Sequence, residues 1–119
     1  MVVDDEPAIA ELLTRFLTKK NYEVTGFTSG KEALEHLKTN EVNLLLTDID
    51  MPEMSGIELI KATKELKPNL PILVITGTAN LKAMNEIVIT MGIGTDYIAK
   101  PFQLDSLEKI VASRLQSGA

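Results

Sequence analysis

Two nearly unbroken apolar runs constrain this chain more than any other feature: Val-Asn-Leu-Leu-Leu-Thr at 42–47 and Pro-Ile-Leu-Val-Ile-Thr at 71–76. A strand with one face in water alternates apolar and polar residues, whereas a run without that alternation must be covered on both faces. Both runs therefore read as central strands of a sheet sandwiched between helices.

The flanking segments supply those helices. Ile9, Leu12, Leu13, Phe16 and Leu17 are spaced 3, 1, 3, 1, which makes one apolar face of a first helix that begins at Pro7 and ends near Lys19-Lys20-Asn21. Ser29 to Glu32 has capping-box spacing before a second helix carrying Ala33, Leu34 and Leu37, and Ser55 to Glu58 has it before a third carrying Ile57, Leu59, Ile60 and Leu66. Leu81, Met84, Ile87, Val88 and Met91 predict a fourth, stopped by Gly92, and Leu107, Ile110, Val111 and Leu115 a fifth. Met1–Val3, residues 22–27 and residues 97–99 read as the remaining strands. Strand and helix thus alternate five times, which demands an α/β fold with a mostly parallel sheet, because each crossover is a right-handed βαβ unit.

Composition closes off other classes. A chain of 119 residues suits one domain, with enough buried surface for a core without staples. Cysteine is absent, which excludes disulfide frameworks, thiolate zinc sites and cysteine nucleophiles. Twelve Lys and Arg against seventeen Asp and Glu give a net charge of −5, so direct nucleic-acid binding by this domain is not expected. No apolar run approaches a membrane span and no signal-peptide pattern opens the chain, so the expectation is a cytoplasmic globular domain without membrane contact.

In an open parallel sheet, ligands sit beyond the carboxyl ends of the strands. Those ends deliver Asp4 and Asp5, Asp48, Thr76 and Lys100, while the second strand delivers only Thr28 and Ser29, which serve as turn and cap residues. A lone Asp at a strand end is usually a cap or a turn former; chemically useful groups at four of the five strand ends on one rim are not explained that way. Like-charged carboxylates at about 4 Å repel by roughly 4 kcal/mol per pair at an effective dielectric near 20. Protonation, a lysine or a metal must offset this, and Mg²⁺ prefers such oxygens. Acids, one lysine and one hydroxyl form a set suited to phosphoryl transfer, with a carboxylate as nucleophile.

Four motifs carry a resemblance: Val-Val-Asp-Asp-Glu-Pro at 2–7, Leu-Thr-Asp-Ile-Asp-Met-Pro-Glu-Met-Ser-Gly at 46–56, Ile-Thr-Gly at 75–77 and Asp-Tyr-Ile-Ala-Lys-Pro-Phe at 96–102. In this order they resemble the receiver domain of two-component response regulators, over essentially all of residues 1–119. The resemblance implies a flavodoxin-like (βα)5 doubly wound sheet with strand order 2-1-3-4-5. It implies that Asp48 accepts a phosphoryl group from the phosphohistidine of a sensor histidine kinase or phosphotransfer domain. Asp5, Asp48 and the Asp50 carbonyl would bind Mg²⁺, with Asp4 holding metal-bound water. Thr76 would hydrogen-bond the phosphoryl group, Lys100 would pair with it and with Asp48, and Tyr97 would be the switch aromatic that turns inward with Thr76. The Lys100–Pro101 bond would be cis, an isomer found in only about 5–6% of X–Pro bonds. The output face would be the fourth helix, fifth strand and fifth helix, serving a downstream output domain or protein or a homodimer formed on phosphorylation. With no output domain after Ala119, the expectation is a stand-alone regulator or a receiver cut from a longer regulator or hybrid kinase.

Some features depart from the family pattern. The first strand has only three residues before Asp4, and Thr76 to Lys100 spans 24 positions, about two more than usual, with the excess placed around 91–95. Gly77 stands where alanine is commoner. Asp50 and Thr78 occupy positions that tune the lifetime of the phosphoryl group. His36, the single histidine, reads as a surface residue of the second helix, Met51 and Met54 as loop packing, and Phe102 as a core anchor. Rival readings are a haloacid-dehalogenase-like aspartyl phosphatase, suggested by Asp48-Ile49-Asp50, and a receiver-like interaction module without phosphorylation. An EF-hand fails because Pro52 and Glu53 stand where a ligand and glycine are required.

Overall fold

The computed structural model describes residues 1–49, 51, 53–77, 85 and 95–117. Its strands are β1 (Val2–Val3), β2 (Gly26–Phe27), β3 (Leu45–Asp48), β4 (Ile72–Gly77) and β5 (Thr95–Lys100). They form one parallel sheet in the order β2-β1-β3-β4-β5. The helices are α1 (Pro7–Lys19), α2 (Gly30–Thr39), α3 (Gly56–Leu66) and a last helix, Leu104–Ser117. The fourth helix expected over 81–91 lies outside the described residues, apart from Asn85, which is helical and exposed.

Strand periodicity sorts the core into two layers, since successive side chains point to opposite faces. Val3, Leu45, Ile72 and Val74 join Ala33 and Leu37 of α2 and Leu59 and Ile60 of α3. Val2, Leu46, Leu73 and Ile75 join Leu13 and Leu17 of α1 and Leu107 and Val111 of the last helix. Both faces of β3 and β4 are thereby covered, as their unbroken apolar runs require.

Capping behaves as the sequence predicts. Ser29 Oγ accepts the Glu32 N–H at 3.4 Å, and Ser55 Oγ accepts the Glu58 N–H at 3.2 Å. Other boundaries move. Of residues 22–27 only Gly26 and Phe27 are strand, because β1 is two residues long and gives β2 little to pair with. Tyr22 is held by a side chain instead, its hydroxyl donating to Glu108 Oε1 at 3.2 Å. β5 is longer than the expected 97–99, pairing with β4 from Ile72↔Thr95 to Gly77↔Lys100. Leu12 and Leu66, expected on buried faces, are 45% and 46% exposed, because each stands at the margin of its helix stripe. His36 is half-buried rather than superficial, its ring centroid 5.1 Å from that of Phe27. Met51, Met54 and Phe102 pack against the two core layers.

Candidate functional site

Register builds the site. Val3 pairs with Thr47 across β1 and β3, so the next residues, Asp4 and Asp48, emerge side by side. Asp48 in turn pairs with Ile75, which brings Thr76 to the same rim, and Gly77 pairs with Lys100 at the end of β5. Three neighbouring strands thus end in polar residues at one edge of the sheet, and the β5 side chain reaches back across them.

Asp4 and Asp48 divide their oxygens in the same way. Asp4 Oδ1 accepts the Glu6 N–H at 2.9 Å and Oδ2 accepts from Lys100 Nζ at 3.2 Å. Asp48 Oδ1 accepts the Ile49 N–H at 2.7 Å and Oδ2 accepts from Lys100 Nζ at 3.3 Å. One oxygen of each carboxylate fixes its own turn while the other faces the lysine. The two side chains are 0% and 7% exposed, and that of Lys100 24%. Glu6 Oε1 is a third acidic contact of the ammonium, at 3.8 Å.

The charges do not balance. Burial raises the Asp48 pKa above the usual carboxylate range and Asp4 adds to the rise, while Lys100 and the Ile49 N–H oppose it. Burial acts to lower the Lys100 pKa, but Asp4 and Asp48 override it and the net shift is upward, so the ammonium stays charged. The two residues differ in their neighbours as well: the lysine has two buried anions around it, whereas Asp48 has one cation and one anion.

Asp5 completes a metal-capable set. One carboxylate oxygen from each of Asp4, Asp5 and Asp48 lies within 4.8 Å of the others. Such a donor set is all hard oxygen with a surplus of negative charge, which fits Mg²⁺ and would not suit a soft metal. The Asp50 carbonyl, expected as a further ligand, lies outside the described residues, as do Pro52 and Thr78. Thr76 lies in β4 by its backbone, and its side chain is outside the described residues. Tyr97 lies on β5 with its side chain outward, 56% exposed, beside Lys109, Ile110 and Ser113 of the last helix. The Lys100–Pro101 bond is cis.

Two contributors escape the sequence reading. Glu6 belongs to the same acidic run, but nothing in the sequence marks its side chain as turned toward Lys100. Gly56 does leave a signal, since glycine is a poor residue to open a helix directly after a Ser cap. A Cβ there would collide with the Asp48 carbonyl oxygen and sit 2.6 Å from Ile49 Cα, and the Gly56 N–H donates to the Ile49 carbonyl at 2.8 Å. The start of α3 is therefore pressed directly onto the backbone that presents Asp48.

Comparisons with known proteins place the chain in a family and a fold. The family model described as the response regulator receiver domain matches residues 1–112. The chain is 36% identical over 110 residues to the DNA-binding transcriptional regulator NtrC of Klebsiella pneumoniae, covering 92% of this chain and 23% of that protein. It is 32% identical over 108 residues to the heme response regulator HssR of Staphylococcus saprophyticus, covering 90% of this chain and 46% of that protein. The chain thus spans less than half the length of these relatives. Among solved structures, a CheY-like response regulator receiver domain protein from Methanospirillum hungatei superposes with a TM-score of 0.90 at 29% identity, covering 98% of this chain and 92% of that one. No described helix is long and apolar enough to cross a membrane.

Proposed function

The chain belongs to the response regulator receiver domain family of two-component signalling, and on that premise we propose that Asp48 is the phosphoacceptor of its phosphorylation-dependent switch. One observation carries the assignment: of the two buried carboxylates that Lys100 shares with the acidic trio, Asp48 ends the central strand β3 and keeps 7% of its side chain open to solvent, whereas Asp4 is fully enclosed.

In the proposed reaction an Asp48 oxygen bonds to phosphorus as the P–N bond of a phosphohistidine breaks. The electron pair returns to the imidazole, which takes up a proton, and the product is an aspartyl phosphate. Asp48 must be ionised to attack, which burial and Asp4 oppose and Lys100 and the Ile49 N–H favour. Lys100, already within hydrogen-bonding reach, follows the negative charge onto the phosphoryl oxygens. Asp5, Asp48 and the Asp50 carbonyl, with Asp4 in support, would hold Mg²⁺, which would supply further positive charge for the phosphoryl oxygens. Thr76 donates to the phosphoryl group. The chain catalyses its own phosphorylation and slow hydrolysis and turns over no separate substrate.

The switch is a population shift in which Thr76 and Lys100 are drawn to the new charge and Tyr97 turns inward. Its outward ring suits the unphosphorylated arrangement. The donor is a sensor histidine kinase or phosphotransfer domain in the cytoplasm. The readout passes through β5, the last helix and the segment before β5, to an output domain, a protein target or a second copy.

Incubation with acetyl phosphate and Mg²⁺ should add one base-labile phosphoryl group by intact mass, and Asp48→Asn should lose it. An unlabelled wild-type chain would move the assignment to a non-phosphorylated interaction module. Rapid turnover of sugar phosphates would favour a phosphatase.

A further inference from the structure

The rim carries a fourth carboxylate that the phosphoacceptor assignment does not use. Glu6 is the N-cap residue of α1, with φ −87° and ψ 109°, yet its side chain makes no capping hydrogen bond. Its backbone is fixed instead. The N–H donates to Asp4 Oδ1, and the carbonyl accepts the amides of Ile9 at 3.0 Å and Ala10 at 3.1 Å. The carboxylate turns toward the site, 3.8 Å from Lys100 Nζ. With its side chain 64% exposed against 0% and 7% for Asp4 and Asp48, it is the solvent-facing anion of the lysine's three.

An ion pair this exposed adds little to stability. Its charge still acts on whatever approaches. Asp4, Asp5, Glu6 and Asp48 outnumber Lys100 at the entrance, and a phosphodonor arrives carrying more negative charge. A protein donor can bring a cation of its own against Glu6, and a small anion cannot. We propose that Glu6 is a specificity-determining residue that disfavours free anionic phosphodonors relative to a phosphohistidine presented by a protein. The inference rests on Asp48 being the phosphoacceptor. With acetyl phosphate, an Asp48 oxygen bonds to phosphorus while the P–O bond to the acetyl group breaks and acetate leaves with the electron pair. Glu6 forms no bond in this step and acts through its field alone.

The size of the effect follows from charge and distance. A dianion some 6–7 Å from one carboxylate, in water-like dielectric with a screening length near 8 Å, loses about threefold in rate, and a monoanion less than twofold. At about 1 M salt the screening length falls to about 3 Å and the loss for a dianion shrinks to about 1.3-fold.

The test measures initial labelling rates of the full chain with Mg²⁺ by intact mass. The probes are acetyl phosphate, a dianion, and phosphoramidate, a monoanion, each at about 0.15 M and at about 1 M salt. Glu6→Gln should label about threefold faster than wild type with acetyl phosphate at about 0.15 M salt, less than twofold faster with phosphoramidate, and within about 1.3-fold of wild type at about 1 M salt. Glu6→Lys, which reverses the charge, should extend the gain at about 0.15 M salt to about ninefold. Glu6→Asp should keep the wild-type salt dependence. A Glu6→Gln ratio that ignores salt, or is equal for the two donors, overturns the proposal. A wild-type chain that takes no label overturns the phosphoacceptor assignment and this proposal with it.

Discussion

Lys100 Nζ lies 3.3 Å from Asp48 Oδ2 although 52 positions separate the two residues, and a whole strand, β4, stands between β3 and β5. The lysine reaches across the rim to share its one charge between Asp48 and Asp4. The surplus of negative charge left by that sharing sets the behaviour expected of the site.

Removing the cation should cost stability. Lys100→Met leaves two buried carboxylates without their ammonium, and because the lysine is 24% exposed the loss falls short of a fully buried pair. The expected destabilisation is about 2 kcal/mol at neutral pH. It should shrink as pH falls and the carboxylates protonate, and urea melts at two pH values read it directly.

Removing an anion should do the reverse. The Asp48 pKa is raised in the folded chain, so its ionised form is less favourable there than in the unfolded chain. For an acid of this kind the associated stability is present below the unfolded pKa and lost as pH rises through the folded one. Asp48→Asn should therefore raise the thermal midpoint at neutral pH by roughly a few degrees. The gain should vanish in acid. An unchanged or lower midpoint at pH 7 would contradict the charge imbalance.

Mg²⁺ should relieve the same imbalance in the wild-type chain. At ten times its dissociation constant a ligand bound only by the folded state adds about 1.4 kcal/mol. Asp5→Asn should lower the affinity and move this gain to higher Mg²⁺ concentration. Thermal melts across a Mg²⁺ titration measure it without any phosphodonor.

Gly56→Ala should disturb the site through the backbone. The added methyl meets the Asp48 carbonyl oxygen and Ile49 Cα, neither of which is a flexible side-chain end. A loss of about 3 kcal/mol is expected, at the upper end for overpacking. Slower labelling of Asp48 should accompany it. Calorimetry and labelling rates together separate this from a neutral helix-start substitution.

Particular residues divide what was legible in the sequence from what was not. The unbroken runs in β3 and β4 dictated a sheet buried on both faces, and Ser29 and Ser55 marked their helix starts, because periodicity and capping are local properties. The polar strand-end residues Asp4, Asp48 and Lys100 pointed to one rim for the same reason, since parallel strands share their carboxyl ends. The margins of the apolar faces at Leu12 and Leu66, the short β2 and the side-chain direction of Glu6 were decided only on folding. Each depends on how one element lies against another. The same holds for the site's electrostatics: a sequence counts the charges on a rim, but register and burial decide that Lys100 stands between Asp4 and Asp48, and distance and dielectric then fix how much each charge weighs.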